Sequence, residues 1–233
     1  MNTLVIVSHP EINESGSQQY LLSAIPENKN ITVHHLEEHY PDGKIDIKKE
    51  QELLKKHQRI IFQFPLYWYS SPPLLKKWQD EVLEDIFAFG GAFTPPQLSG
   101  KEFSIVTVIG AKADAFMAGG REAFNLDGLT SPFQAMAYKT GMVYIKPLYI
   151  HQFAYKNEEE KMAILIAYQQ LLTMDESQTL ANREEWMVNE LEKTNRETLG
   201  ASGDMIIDHA IDIIEDNRMT MDELQLIIDE LNG

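Results

Sequence analysis

Short β-branched runs alternate with amphipathic segments through the first three quarters of the chain. Leu4–Val7, Ile31–His34, Arg59–Phe64, Phe103–Ile109 and Met142–Tyr149 read as strands, each a compact apolar run rich in Val, Ile and aromatics. Between and after them, apolar residues recur at helical spacing in Ser17–Ala24, Ile47–His57, Pro72–Asp85, Ser131–Lys139 and Glu158–Thr173. Strands that alternate with helices, and are apolar throughout, imply a parallel sheet buried on both faces. Right-handed crossovers reduce the topologies to a doubly wound, five-stranded α/β sheet. Ligands in such sheets bind beyond the carboxyl ends of the strands. Three loops stand there: His9–Ser17, Pro65–Ser71 and Gly110–Gly120.

The last quarter changes character. Its pattern predicts three helices, Asn182–Thr194, Asp204–Glu215 and Met221–Leu231, with capping boxes at Asn182/Glu185 and Thr220/Glu223. From Met174 onward there are 16 acidic and 4 basic residues, a net of −12 out of −16, which leaves a nearly balanced body. The expected organisation is a body of residues 1–175 and an acidic helical extension of residues 176–233. Helices this short need a surface to pack on. That surface is the body, a partner subunit or a docked protein.

Charge and composition remove several function classes. A net charge of −16 opposes non-specific binding to nucleic acid or anionic membranes. No cysteine is present, so disulfides, thiolate metal sites and thiol catalysis are excluded. No run approaches the roughly 20 apolar residues that span a bilayer. MNTLVIVSHP lacks the features of a leader, so a cytoplasmic protein is expected. HHLEEH at His34–His39 has no third ligand and predicts no metal site.

The loops carry the candidate chemistry, each beside a plainer reading. SHPEINESGSQQ offers hydroxyls and N–H groups at a helix start, suited to a phosphate. Ser15 and Gln18 in it also have capping-box spacing, which needs no ligand. In FPLYWYSSPP, Ser71 and Pro72 suit a helix start, whereas Leu66, Tyr67, Trp68 and Tyr69 fit either core packing or one wall of a slot for a flat heterocycle. Gly110, Gly119 and Gly120 allow close backbone approach or tight turns. Together the loops suit a mononucleotide bearing a flat ring system.

Four segments carry a family resemblance: SHPEINESGSQQ (8–19), YPDGKIDIKKEQELL (40–54), FPLYWYSSPPLLKKWQDEV (64–82) and SPFQAMAYKTGM (131–142). With them the chain resembles the flavodoxin-like NAD(P)H:quinone oxidoreductases, including ancillary oxidoreductases of bacterial potassium-efflux systems. The resemblance spans residues 1 to 173 and not the acidic extension. It implies a non-covalent flavin, FMN with FAD as the alternative, and NAD(P)H as co-substrate. It implies ping-pong delivery of two electrons to a quinone or similar acceptor, in a homodimer. His9, Ser15, Ser17 and Gln18 would surround the phosphate and ribityl chain. Pro65, Leu66, Tyr67 and Trp68 would line the ring edge, with Val108, Ile109, Gly110 and Ala111 on another side. Phe116 stands where relatives often have a tyrosine and cannot donate a proton. The alternative is a flavin- or nucleotide-binding regulatory subunit docked to a partner such as a potassium-efflux channel.

Overall fold

A computed structural model describes the chain apart from residues 28–29, 176–178, 197–199 and 233. It forms two compact units, Met1–Thr173 and Met174–Gly233. The expected boundary at 175/176 abuts residues 176–178, and residue 176 lies outside the described ones.

The first unit is a parallel sheet in the order β2–β1–β3–β4, with β5 and β6 both paired to β4. The strands are β1 (Thr3–Val7), β2 (Ile31–His35), β3 (Arg59–Pro65), β4 (Glu102–Ile109), β5 (Val143–Tyr144) and β6 (Leu148–His151). Side chains alternate between two cores, as a period of two requires. Leu4, Ile6, Ile60, Phe62 and Phe64 face one layer with Leu75, Trp78 and Phe133. Val5, Val7 and Ile61 face the other with Leu21, Tyr168 and Leu171. The helices that supply those layers are α1 (Gly16–Ser23), α2 (Leu36–His39), α3 (Ile47–Lys55), α4 (Pro73–Val82), α5 (Asp85–Phe89), α6 (Leu126–Thr140) and α7 (Glu158–Thr173).

Several expectations are corrected. The single strand Met142–Tyr149 is two short ones, because Pro147 has no N–H for a ladder and the Lys146 carbonyl accepts from Ser104 Oγ at 3.1 Å instead. Helix α4 starts at Pro73, and Ser71 is not its cap. A residue before proline is driven out of the helical region, so Pro72 is extended (ψ 152°) and helix can begin only after it. Helix α6 starts at Leu126 rather than Ser131, capped by Asn125 Oδ1, which accepts from Gly128 N at 2.6 Å. Pro132 inside it is tolerated because Ser131 Oγ donates to the Gly128 carbonyl (2.8 Å) that the missing N–H would have served.

The second unit holds α8 (Leu180–Glu192) and α9 (Gly200–Asn232). Neither expected capping box forms. Thr179 caps α8, accepting from Asn182 N at 3.3 Å. The helices expected at Asp204–Glu215 and Met221–Leu231 are one, and Thr220 Oγ1 is spent within it on the Asp216 carbonyl (2.9 Å). No Gly or Pro interrupts the chain between Asp204 and Asn232, so nothing stops the helix. Among the described residues, no helix is long and apolar enough to cross a membrane.

Candidate functional site

The carboxyl ends of β1, β3 and β4 emerge side by side because these strands are adjacent and in register. Beyond β1 the chain turns through Ser8–Ser15 into α1. Ser15 caps α1, its Oγ accepting from Gln18 N at 3.4 Å and lying 3.3 Å from Ser17 Oγ. That is half of the expected capping box. The Gly16 and Ser17 N–H groups take no partner among the described residues. Two donors at the positive end of an eight-residue helix favour an anion.

Gln18 itself points inward. It is fully buried, its Oε1 accepting from Gln63 Nε2 (2.7 Å), while Gln63 Oε1 accepts from the Tyr168 hydroxyl (2.6 Å). Its Nε2 is buried with no partner. His9 is nearly buried, and burial lowers its pKa. Its Nδ1 accepts from Glu11 N at 3.1 Å, which leaves the proton of the neutral ring on Nε2.

Glu37, which sequence reasoning passed over, organises this loop. It accepts from Ser8 Oγ (2.6 Å) and His9 N (3.0 Å) and lies 3.2 Å from His35 Nε2. Burial pushes the Glu37 carboxyl up, but the bonds from His35 and Ser8 outweigh it and hold the pKa low. The Glu37 bond raises His35 above its ordinary value. The lowered carboxyl contributes stability above its unfolded value of 4.5, lost as pH falls through the folded one. The raised imidazole contributes below 6.5, lost as pH rises through its folded value. Glu37→Gln is therefore expected to lower the melting temperature most between pH 4.5 and 6.5, with the difference shrinking on either side. Thermal melts of both proteins across pH check this; a pH-independent difference would refute it.

Beyond β3, Leu66 N donates to the Val108 carbonyl at 3.0 Å and ties the second loop to the third. Leu66 packs with Ile109, Ala111 and Phe116. Tyr67 and Ser70 exchange backbone bonds at 2.9 and 3.0 Å across a two-residue turn. Trp68 (φ 46°) and Tyr69 (φ 64°) are both left-handed there, where such turns ordinarily use Asn-Gly. Such strain, about 1–3 kcal/mol per residue, persists only where the surrounding structure over-determines it, here through the Tyr67–Ser70 pair and the Tyr69–Glu122 bond. Trp68 is 92% exposed, so its indole is not core. The His9 and Tyr67 rings lie 6.3 Å apart, and the Tyr69 hydroxyl donates to Glu122 at 2.8 Å, which links all three loops.

Beyond β4, Gly110 through Arg121 enclose a cavity of about 750 Å³ with Gln152. Gly120 is a packing requirement, since a Cβ there would meet the Asp114 and Ala115 carbonyls at 2.4 Å. Gly110 and Gly16 differ: nothing lies within 4 Å of a Cβ on either. A second cavity of about 440 Å³ brings Gly16 and Ser17 together with Val108, Ile109, Gly110, Gln152, Tyr155 and Lys161. Phe116 is buried against His151, its ring 6.0 Å from the imidazole.

The structure thus unites Ser17 with Val108–Gly110 around one space and sets Ala111 in the adjoining one. Pro65 is buried at the end of β3, and His9, Ser15, Gln18, Leu66, Tyr67 and Trp68 line neither cavity. Gln152 was not legible, because only the pairing of β6 with β4 carries it there. Glu37 had a signal: β2 neighbours β1 in this topology, so the residues just past β2 must meet the first loop. Of the three histidines in the weak metal motif, His35 serves Glu37, His34 lies 2.9 Å from Glu50, and His39 Nδ1 bonds the His35 carbonyl at 2.9 Å.

Residues 1–173 match the model of a family described as having a flavodoxin-like fold. The chain belongs to this family. The uncharacterized NAD(P)H oxidoreductase YdeQ of Bacillus subtilis is 47% identical over 147 residues, 62% of this chain and 73% of that protein. The crystal structure of an NADPH-quinone reductase from P. pentosaceus is 42% identical with a TM-score of 0.69, covering 74% of this chain and 98% of that one. General stress protein 14 from Treponema denticola, solved in complex with FMN, is 31% identical with a TM-score of 0.66, covering 74% and 96%. What residues 1–173 share with these proteins is the flavodoxin-like fold. The matches leave the acidic extension outside the shared fold.

Proposed function

We propose that this flavodoxin-like protein holds FMN across its three loops and passes two electrons from NAD(P)H to a quinone or similar acceptor in ping-pong order. One observation carries the reading: Gly16, Ser17 and Val108–Gly110, from opposite loops, line a single cavity beside glycines whose Cβ space no chain atom fills. The free Gly16 and Ser17 N–H groups suit the phosphate. Lys161 stands in the same cavity, although it also pairs with Glu158 at 2.8 Å. The outer side of the first loop is unsuited to an anion, since Glu11, Glu14, Glu37 and Glu38 line it. Leu66, Tyr67 and Trp68 would border the rings, and the Gly110–Ala111 backbone would approach another edge.

When bound, the flavin supplies the redox chemistry, while the protein orients it and shapes access. The chain's own residues position rings, exclude water through Leu66 and Ile109, and offer the phosphate two backbone donors. Buried Phe116 supplies no proton, so the acceptor is expected to draw on solvent. The exposed Trp68 at the rim fits a homodimer in which a second copy covers it.

The visible spectrum of the purified protein, followed by chromatography of the cofactor released on heating, tests the reading. A yellow protein that releases FMN and is bleached by NADH or NADPH under anaerobic conditions supports it. A colourless protein that binds no added FMN refutes it.

A further inference from the structure

Gln152, just past the end of β6, lines both cavities, as Gly110 does. Three features set it apart. Its backbone is left-handed (φ 46°, ψ 46°), a conformation ordinarily left to Gly and Asn. It is pinned there on both sides: its N–H donates to the Ile109 carbonyl at 2.8 Å, and its carbonyl accepts from Tyr155 N at 2.9 Å. Its carboxamide has no hydrogen-bond partner among the described residues, yet it lines both cavities, each of which also contains Gly110.

A turn at this position has no need of glutamine; glycine would adopt the same backbone without strain. Nothing within the chain rewards the side chain for being there. Strain of this kind persists at ligand-holding positions. We infer that Gln152 is a ligand-binding residue, its carboxamide engaging a polar edge with adjoining donor and acceptor on the ring system seated against Gly110. An amide carries one acceptor and two donors on a planar group, which matches an imide edge such as a flavin presents. Pinning between Ile109 and Tyr155 holds that amide in place before the ligand arrives, which lowers the ordering cost of binding. This rests on the flavin reading above.

The test compares Gln152→Gly, Gln152→Leu and Gln152→Asn with the parent protein after removal of any bound flavin. Two readouts are needed: the melting temperature without ligand, and the dissociation constant of added FMN from fluorescence quenching. The glycine variant is expected to melt at or above the parent while binding FMN about tenfold more weakly. Leucine should weaken binding similarly without the gain in melting temperature. Asparagine, which keeps the amide and tolerates the backbone, should stay within about threefold of the parent. Parent-like FMN binding by the glycine and leucine variants would overturn the inference and reduce Gln152 to a turn residue. Failure of the parent itself to bind FMN would instead sink the flavin reading, so the two failures are distinguishable.

Discussion

Gly110→Leu is expected to leave the protein folded and to weaken FMN binding by about a hundredfold or more. Two facts make the fold indifferent to the change. No heavy atom lies within 4 Å of a Cβ placed on Gly110, and the residue is not among those with positive φ. The side chain thus enters open space with no backbone strain. That space is where the two cavities meet and where the ring system is proposed to lie. Forcing even a few methylenes into an occupied, well-packed site costs about 1–3 kcal/mol, and the upper end of that range is about a hundredfold in affinity. Melting of the ligand-free variant and fluorescence titration with FMN check both halves. A variant that binds FMN like the parent would place the rings elsewhere. Gly120→Leu is the contrasting control: its Cβ would strike backbone carbonyls at 2.4 Å, so loss of folding should precede any effect on ligand.

Glu50→Ala is expected to be strongly destabilising. Glu50 is fully buried beneath the sheet, far from solvent, as few carboxylates are. Its oxygens accept from the Tyr40 hydroxyl (2.5 Å) and Trp78 Nε1 (2.7 Å), and His34 Nε2 lies 2.9 Å away. Burial pushes the carboxyl up, but the contacts with His34, Tyr40 and Trp78 outweigh it and keep the pKa below its ordinary value. Alanine would strand these polar groups in the core around Trp78. Breaking one side of such a buried network costs about 3–5 kcal/mol, or roughly 10 °C in melting temperature for a chain of this size.

The pH dependence has a definite sign. A depressed carboxyl contributes stability above its unfolded value of 4.5 and loses it as pH falls through the folded one. The gap between parent and Glu50→Gln should therefore be full at neutral pH and close in acid. Thermal melts across that range measure it, and a gap that widens in acid would refute the assignment.

Four of the five strand positions, the parallel sheet and its doubly wound class were legible because apolar runs of period two or less are local signals. The aromatic run Tyr67–Trp68–Tyr69 was legible as an anomaly, a loop with too little polarity for its place. Its turn geometry was not legible. Two left-handed aromatics have no local propensity to announce them, and the contacts from Val108 and Glu122 that hold the loop come from residues more than 40 positions away.

Element ends were decided by interactions that patterns do not carry. Pro72 could not open α4 because Pro73 comes next, and α6 opens before Pro132 and runs through it because Ser131 serves the orphaned carbonyl. Thr220 and Glu223 have capping spacing that splits α9 into two helices on paper, yet a helix with no breaker simply continues through them. By itself, the sequence determined the fold class, the charge split and the three loops proposed to carry the site. Only the tertiary structure decided that Gln18 turns inward to Gln63, that Glu37 ties down the first loop, and that Gln152 stands between the cavities. Each of those outcomes depends on which strands lie side by side, a long-range pairing that spacing along one segment cannot express.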